Sequence, residues 1–210
     1  MLVSICMATY NGGKFIREQV DSILNQEFTE NEGVEIELVV SDDGSTDDTI
    51  QILESYHDPR IKIFMHQNKK EHKYLNANRK ASENFENALM KAKGDYLFFS
   101  DQDDVWMPWK LDKSLSVLRK FGGIVATAFE VGDERLQVMG KVVYNHHAPF
   151  FSFKDQLGCY GFSMGICRDE LKYILPIPSM VAGHDKYIQY SAMWRKRLHF
   201  IDEPCAIHRW

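Results

Sequence analysis

Three carboxylates crowd the end of one short apolar run. In Phe98–Leu111, FFSDQDDVWMPWKL, the acids Asp101, Asp103 and Asp104 follow directly on the strand-like segment Tyr96–Phe99. Trp106, Pro108 and Trp109 then stiffen the exit. Carboxylates held this closely repel one another unless a cation sits among them, and a hard divalent ion with oxygen ligands, manganese or magnesium, suits them. Such ions keep several waters and share the phosphates of a substrate, so the turn also points to a phosphorylated ligand. Asp103 is placed to bind the metal and Asp101 to reach a ribose hydroxyl. Asp104 could do either, or fix the loop through its backbone. A solvated acidic loop is the plainer alternative.

Two further polar breaks carry candidate chemistry. Thr9-Tyr10-Asn11-Gly12-Gly13 interrupts the first apolar run and offers backbone groups near a helix start, suited to a base or a phosphate. Ser41-Asp42-Asp43-Gly44-Ser45 interrupts the second, where Asp43 could accept a hydrogen bond from a pyrimidine imide, or serve with Asp42 as an ordinary turn and cap. Neither of the common glycine-rich phosphate-binding patterns, GxGxxG or GxxxxGK[ST], occurs.

The elements that must position these breaks alternate. Leu2–Ala8 reads as a strand buried on both faces. Lys14–Gln26 is an amphipathic helix with Phe15, Ile16, Val20, Ile23 and Leu24 on one side. Glu35–Val40 is a second strand, and Asp47–Tyr56 a helix capped by Ser45 or Thr46. Ile61–His66, the helix Asn78–Lys93, the strand before the acids, the helix Lys110–Lys120 and the strand Ile124–Val131 complete the series. Strands alternating with helices predict an α/β fold, a Rossmann-like and mostly parallel sheet with helices on both faces. In such sheets ligands bind beyond the carboxyl ends of the strands, where all three breaks fall. They should share one crevice.

Beyond residue 132 the pattern loosens: hairpin character around Val142–Tyr144, a His146-His147 pair, aromatic Phe150–Phe153, and a glycine-rich loop or bent strand over Gly158–Cys167. A short helix over Asp169–Leu175, a helix over Lys186–Lys196 and a strand at His199–Ile201 follow. Ala206–Trp210 reads as the middle of an element, which predicts a longer native chain. One domain over 1–210 is the economical division, with the regular strand–helix part over 1–131 and the looser part over 132–210.

With 210 residues, 44% hydrophobic and 26% charged, the chain can bury one sizeable core. A net charge of −5 gives no electrostatic footprint for nucleic acid. Four scattered cysteines without a CxxC pair read as buried thiols of a cytosolic protein. No run is long enough to span a bilayer, and the start lacks a signal peptide's basic flank. Hydropathy leaves peripheral attachment to a membrane open.

Taken together, ATYNGG (Ala8–Gly13), VVSDDGSTDDT (Val39–Thr49) and FFSDQDDVWMPWKL closely resemble the family 2 inverting glycosyltransferases, in particular the bacterial branch described as rhamnosyltransferase-like. The match in order and spacing covers about the first 130 residues, and GFSMGICRDEL and GHDKY extend it more loosely. The resemblance implies the GT-A fold and a nucleotide-diphosphate sugar as donor. It places Thr9, Tyr10 and Asp43 at the nucleoside, Asp101 and Asp103 in the Asp-any-Asp metal motif, and Asp185 at the catalytic base. Inversion needs one base to take the acceptor's proton, and a carboxylate suffices. Arg79 and Lys80 read as an exposed helix face, as does the charged run Lys69–Lys73. Trp106, Trp109 and Tyr160 could form a sugar platform, though such aromatics are more often core. Asn84 could hold a loop, His184 could tune the base, and His208 and Arg209 fall where the family often reaches the diphosphate or metal. The QxxRW motif of processive synthases is absent in that order, so transfer of one sugar per encounter is expected. The expected acceptor is a glycan or lipid-linked saccharide of the cell surface, met at the cytoplasmic face of the membrane. A nucleotidyltransferase making nucleotide sugars and a non-catalytic nucleotide-sugar-binding domain are the alternatives.

Overall fold

The structure, a computed structural model, describes residues 1–66, 77–144, 159–181 and 183–210. The run Lys69–Lys73, the His146-His147 pair and Phe150–Phe153 lie outside the described residues. Its main sheet has seven strands in the order β10-β6-β9-β4-β1-β2-β3. These are β1 (Leu2–Thr9), β2 (Glu35–Asp42), β3 (Ile61–Met65), β4 (Tyr96–Ser100), β6 (Ile124–Thr127), β9 (Met164–Cys167) and β10 (Leu198–Ile201). All neighbouring pairs are parallel except those made by β9, which runs antiparallel between β4 and β6. β1 is central, and Val3, Ile5 and Met7 are fully buried along with Cys6, which is why it reads as a continuous apolar run instead of an alternating one. The helices α1 (Ile16–Leu24), α2 (Thr49–Glu54), α3 (Ala77–Lys91), α4 (Lys110–Phe121), α5 (Leu171–Ile174) and α6 (His184–Trp194) pack around the sheet.

A second sheet, β5-β11-β7-β8, stands at the carboxyl end of β4. It joins β5 (Val105–Trp106), β7 (Phe129–Gly132), β8 (Val138–Val142) and β11 (Ala206–Arg209). The single strand expected over Ile124–Val131 is therefore two, β6 in one sheet and β7 in the other. The chain changes sheets at Ala128, whose N–H donates to Ile201 O at 2.8 Å and whose carbonyl accepts from Cys205 N at 2.9 Å. Periodicity cannot show such a crossing, because both halves are apolar and the bonds come from residues more than seventy positions away.

Of the two readings of the glycine-rich segment around Gly158–Cys167, loop or bent strand, the strand holds for its end. The segment has a short 3-10 turn, Gly161–Ser163, and then β9, buried in the middle of the main sheet. Gly165 has no side chain because the ring of Phe98 on β4 occupies the space: a Cβ there would lie 2.4 Å from its Cε1. The thiols of Cys6, Cys159 and Cys205 are buried, Cys167 is half-buried, and none forms a disulfide. Among the described residues no helix is long and apolar enough to cross a membrane.

Asp112, in the first turn of α4, holds the loop after α1. Its carboxylate accepts the N–H groups of Thr29, Glu30 and Asn31, the Thr29 hydroxyl at 2.7 Å and Asn31 Nδ2 at 2.8 Å. Burial disfavours its charge, but the bonds from Thr29 and Asn31 outweigh that and lower its pKa to about 2 from 3.8. A folded pKa below the unfolded one gives stability that is complete above pH 4 and lost as pH falls towards 2. Chemical denaturation across that window should show the wild type losing stability with acid and Asp112→Asn, weaker at pH 7, following a flatter curve. Parallel curves would refute this role.

Candidate active site

The carboxyl ends of β1, β2 and β4 meet at one cavity of about 710 Å³. Each sequence break contributes to its wall: Thr9 and Tyr10, Asp43 and Gly44, Asp101 and Asp103. Side chains of the second break lock the first in place. Asn11 N–H donates to Ser45 Oγ at 2.8 Å, Gly12 N–H to Thr49 Oγ1 at 2.8 Å and Gly13 N–H to Asp47 Oδ2 at 2.9 Å. These donors are spent within the protein, so they do not form a phosphate cradle. This corrects the expectation for the Asn11–Gly13 part of the break. Asn11 also lies outside the cavity wall: its side-chain oxygen accepts Thr46 N–H at 2.8 Å, and its φ of 50° makes it a turn residue.

Asp42 organises the second break. Fully buried, it accepts the N–H groups of Gly44 and Ser45 and the hydroxyls of Ser45 (2.5 Å) and Thr9 (2.9 Å). Ser45 and Thr46 accordingly do not cap α2; Asp48 stands at that position without a side-chain bond. Asp43, the neighbour, is the one on the cavity wall, with His66 Nδ1 at 3.0 Å. Thr9 is buried, its hydroxyl donating to Asp42 and its carbonyl held by Asp43 N–H and Asn84 Nδ2. Asn84 reaches the wall as well, and its Oδ1 has no hydrogen-bond partner among the described residues.

The three acids of the opening turn are not equivalent. Burial, then the charges of Asp104 and Asp103, raises Asp101 to about 8. Asp103 is raised by burial and by Asp104. Asp104 is fully buried, outside the cavity wall, and its Oδ1 is 2.7 Å from His208 Nδ1 on β11. Burial opposes charge on His208, but Asp104 more than compensates and raises its pKa. His208 stacks on Phe162 at 4.6 Å and reaches the cavity, while Arg209 Nε fastens the Asp103 carbonyl at 2.7 Å. Of the roles open to Asp104, the structure shows a loop-fixing one, made by its side chain: it anchors the acidic turn to β11 and stands outside the cavity wall.

Among the described residues no three His, Cys, Asp or Glu side chains form a ready-made metal cage. A magnesium-like ion asks for less: one or two carboxylates, with waters and substrate phosphates supplying the rest. Asp101 and Asp103 fit that requirement: both line the cavity, the charge of Asp103 helps to raise Asp101, and a cation beside them would relieve that repulsion.

Asp185 lies in the first turn of α6, with Gly183 at the cap position. It does not line the cavity, yet its charge contributes to the rise at Asp101. Its neighbour His184 is buried, not on the surface. The ring lies 4.4 Å from Phe85 and 5.8 Å from Phe99, and the backbone N–H of His184 donates to Ser82 Oγ at 3.0 Å. Burial lowers its pKa to about 4, so at neutral pH it is an uncharged peg that seats the start of α6 against α3 and β4.

Other expectations change with packing. Trp106 is core, Trp109 Nε1 donates to Pro204 O at 3.2 Å, and Tyr160 packs on Phe129 and Phe162, so none forms a platform on the cavity. Arg79 is buried and donates to the carbonyls of Ile177 and Pro178, whereas Lys80 does reach the cavity wall. Gln102 had no sequence signal beyond its place between two acids. Its side chain turns back onto Tyr10.

The family model for glycosyl transferase family 2 matches residues 4–172. The chain belongs to that family. It is 33% identical over 137 residues to EpsE of Bacillus subtilis (strain 168), named as a glycosyltransferase, covering 63% of this chain and 44% of EpsE. It is 34% identical over 104 residues to a Campylobacter jejuni GalNAc(5)-diNAcBac-PP-undecaprenol beta-1,3-glucosyltransferase, covering 49% of this chain and 29% of that one. The chain therefore spans less than half the length of these curated relatives. Among solved structures, S. aureus TarS 1–349 in complex with UDP superposes with a TM-score of 0.71 at 20% identity, over 100% of this chain and 61% of TarS. The mannosyltransferase PcManGT from Pyrobaculum calidifontis, in complex with GDP-Man and Mn2+, gives 0.66 at 17% identity, over 99% and 56%. The fold of this family 2 chain is that of the GT-A glycosyltransferases.

Proposed function

We propose that this chain is a non-processive, inverting, metal-dependent glycosyltransferase domain that moves a sugar from a nucleotide-diphosphate donor to a cell-surface glycan or lipid-linked acceptor. The observation that carries the reading is the meeting of Thr9, Tyr10, Asp43, Asp101 and Asp103 around one cavity at the carboxyl edge of the sheet. In this reading Tyr10 and Asp43 hold the nucleoside, Asp101 faces the ribose, and Asp103 with Asp101 holds a divalent cation. Held there, a divalent cation would supply charge neutralisation for the diphosphate and for the charge that develops as it leaves. Asp185 takes the acceptor hydroxyl's proton as that oxygen bonds to the anomeric carbon and the bond to the diphosphate breaks. Residues 1–131 serve the donor and 132–210 the acceptor and base, within one domain.

The undecaprenol-linked substrate of the Campylobacter relative and the UDP and GDP-Man of the structural neighbours support the substrate classes. A lipid-linked acceptor would place the domain in the cytoplasm at the inner face of the membrane. The nucleotidyltransferase alternative is weakened by the committed N–H groups of Gly12 and Gly13, which leave no phosphate cradle in the first break.

A thermal-shift panel of nucleotide sugars with manganese, followed by assay of the stabilising donor, tests this. One donor class should raise the melting temperature and release nucleoside diphosphate slowly by hydrolysis. Pyrophosphate release from a sugar phosphate and a nucleoside triphosphate would overturn the reading in favour of nucleotidyl transfer.

A further inference from the structure

Gln102, between the two cavity acids, makes no use of its amide for the acidic turn itself. Its Oε1 accepts Tyr10 N–H at 2.9 Å, and its Nε2 donates to Tyr10 O at 3.2 Å. The two bonds run in opposite directions to one peptide segment, so the side chain completes a ring with the backbone at the end of β1. Gly12 makes room for it. A Cβ on Gly12 would lie 2.4 Å from Gln102 Oε1 and 2.6 Å from its Cδ. Gly12 has no positive φ that would otherwise ask for glycine. The first break is already fastened to the second by Ser45, Asp47 and Thr49. Among the described residues, Gln102 supplies the hydrogen bonds that fasten it to the third.

The geometry points to Gln102 as a positioning residue that locks the nucleoside side of the cavity to the acidic turn, so that a ligand touching both is bound as one unit. The inference rests on the donor reading above. Gln102 also lines the cavity, but one N–H and one lone pair of its amide are engaged by Tyr10, so its effect on a ligand passes first through that segment. A nucleoside monophosphate without a cation meets the acidic turn only through Asp101 at the ribose, whereas a nucleoside diphosphate with a cation engages Asp103 as well. The spacing of the two segments therefore matters more to the diphosphate than to the monophosphate.

The test is a double-mutant cycle with Gln102→Ala and Gly12→Ala in this chain, read by calorimetric titration of UDP with manganese and UMP without it, with GDP and GMP as the second pair. Each single change should weaken the diphosphate complex by about tenfold, the scale of losing one or two hydrogen bonds, and weaken the monophosphate complex by no more than about twofold. Gly12→Ala displaces the flexible end of Gln102, so it should add nothing once Gln102→Ala has removed that end. Melting temperatures should follow the same pattern, each single variant falling by about 2–4 °C and the double variant no further. Equal weakening of both ligands would make Gln102 a general support or a direct contact, and additive losses would separate it from Gly12; either overturns the inference. If the wild type bound none of these nucleotides, the donor reading would fall, while the melting cycle would still decide whether Gly12 and Gln102 act as one lock.

Discussion

Asp185→Asn should lower sugar transfer by roughly 10²- to 10⁴-fold, the usual contribution of general-base catalysis, with donor binding retained. The amide is nearly isosteric and can still accept the Lys186 N–H that the carboxylate accepts at 2.7 Å, so the start of α6 should keep its shape. His184, buried against Phe85 and Phe99, holds that start independently of residue 185. Charge argues the same way for binding. Asp185 is one of the groups that raise Asp101, so removing its charge makes Asp101 easier to ionise and more receptive to a cation. Transfer measured with saturating donor and acceptor, beside donor affinity by calorimetry, separates the two effects. Near-normal transfer would mean that the base lies elsewhere, and a parallel loss of donor binding would make Asp185 a part of the donor site.

Asp103→Ala should weaken nucleoside diphosphate binding in manganese by about 100-fold, since neutralising a diphosphate is worth several kcal/mol. Binding of the nucleoside monophosphate without a cation should stay as in the wild type. The local structure should survive, because Arg209 grips the backbone carbonyl of Asp103 and not its carboxylate. Asp104, held by His208, keeps the turn against β11 in the variant as well. Titrating manganese against UDP binding is the measurement; an unchanged dependence on the metal would refute Asp103 as a ligand. Asp104→Asn offers a contrast. It weakens the buried contact with His208 and should lower thermal stability more than it changes the metal dependence.

The fold was legible wherever one local pattern governed a segment. β1 and β2 are buried on both faces along their middles, so Ile5–Met7 and Leu38–Val40 are continuous apolar runs that give way to polar residues at the carboxyl ends. α1 and α4 carry their buried residues at helical spacing, and the expected ends shifted by only a few positions. Legibility failed where partners came from far along the chain. β6 and β7 read as one strand until bonds from Ile201 and Cys205 at Ala128 divide them. β9 could be read as loop or bent strand, and what decided for strand lay elsewhere: its glycine answers to a ring on β4, a fact of packing invisible in its own neighbourhood.

The site divides along the same line. Residue order alone dictated the parallel sheet, and with it the meeting of Thr9–Gly13, Ser41–Ser45 and Asp101–Asp104 at one edge, because strand direction follows from the alternation of strand and helix. Residue types dictated that this edge would be acidic and suited to a hard cation. Which members of each break face the cavity was settled only by packing. Asp43 reaches the wall and Asp42 does not, because Asp42 is consumed by Thr9, Gly44 and Ser45. Asp101 and Asp103 reach it and Asp104 does not, because His208 arrives from a strand a hundred residues later. A buried polar atom must find a partner, and the partners here lie on other elements. Their identity is therefore a property of the folded chain, even where the chemistry they serve is written in the order of its residues.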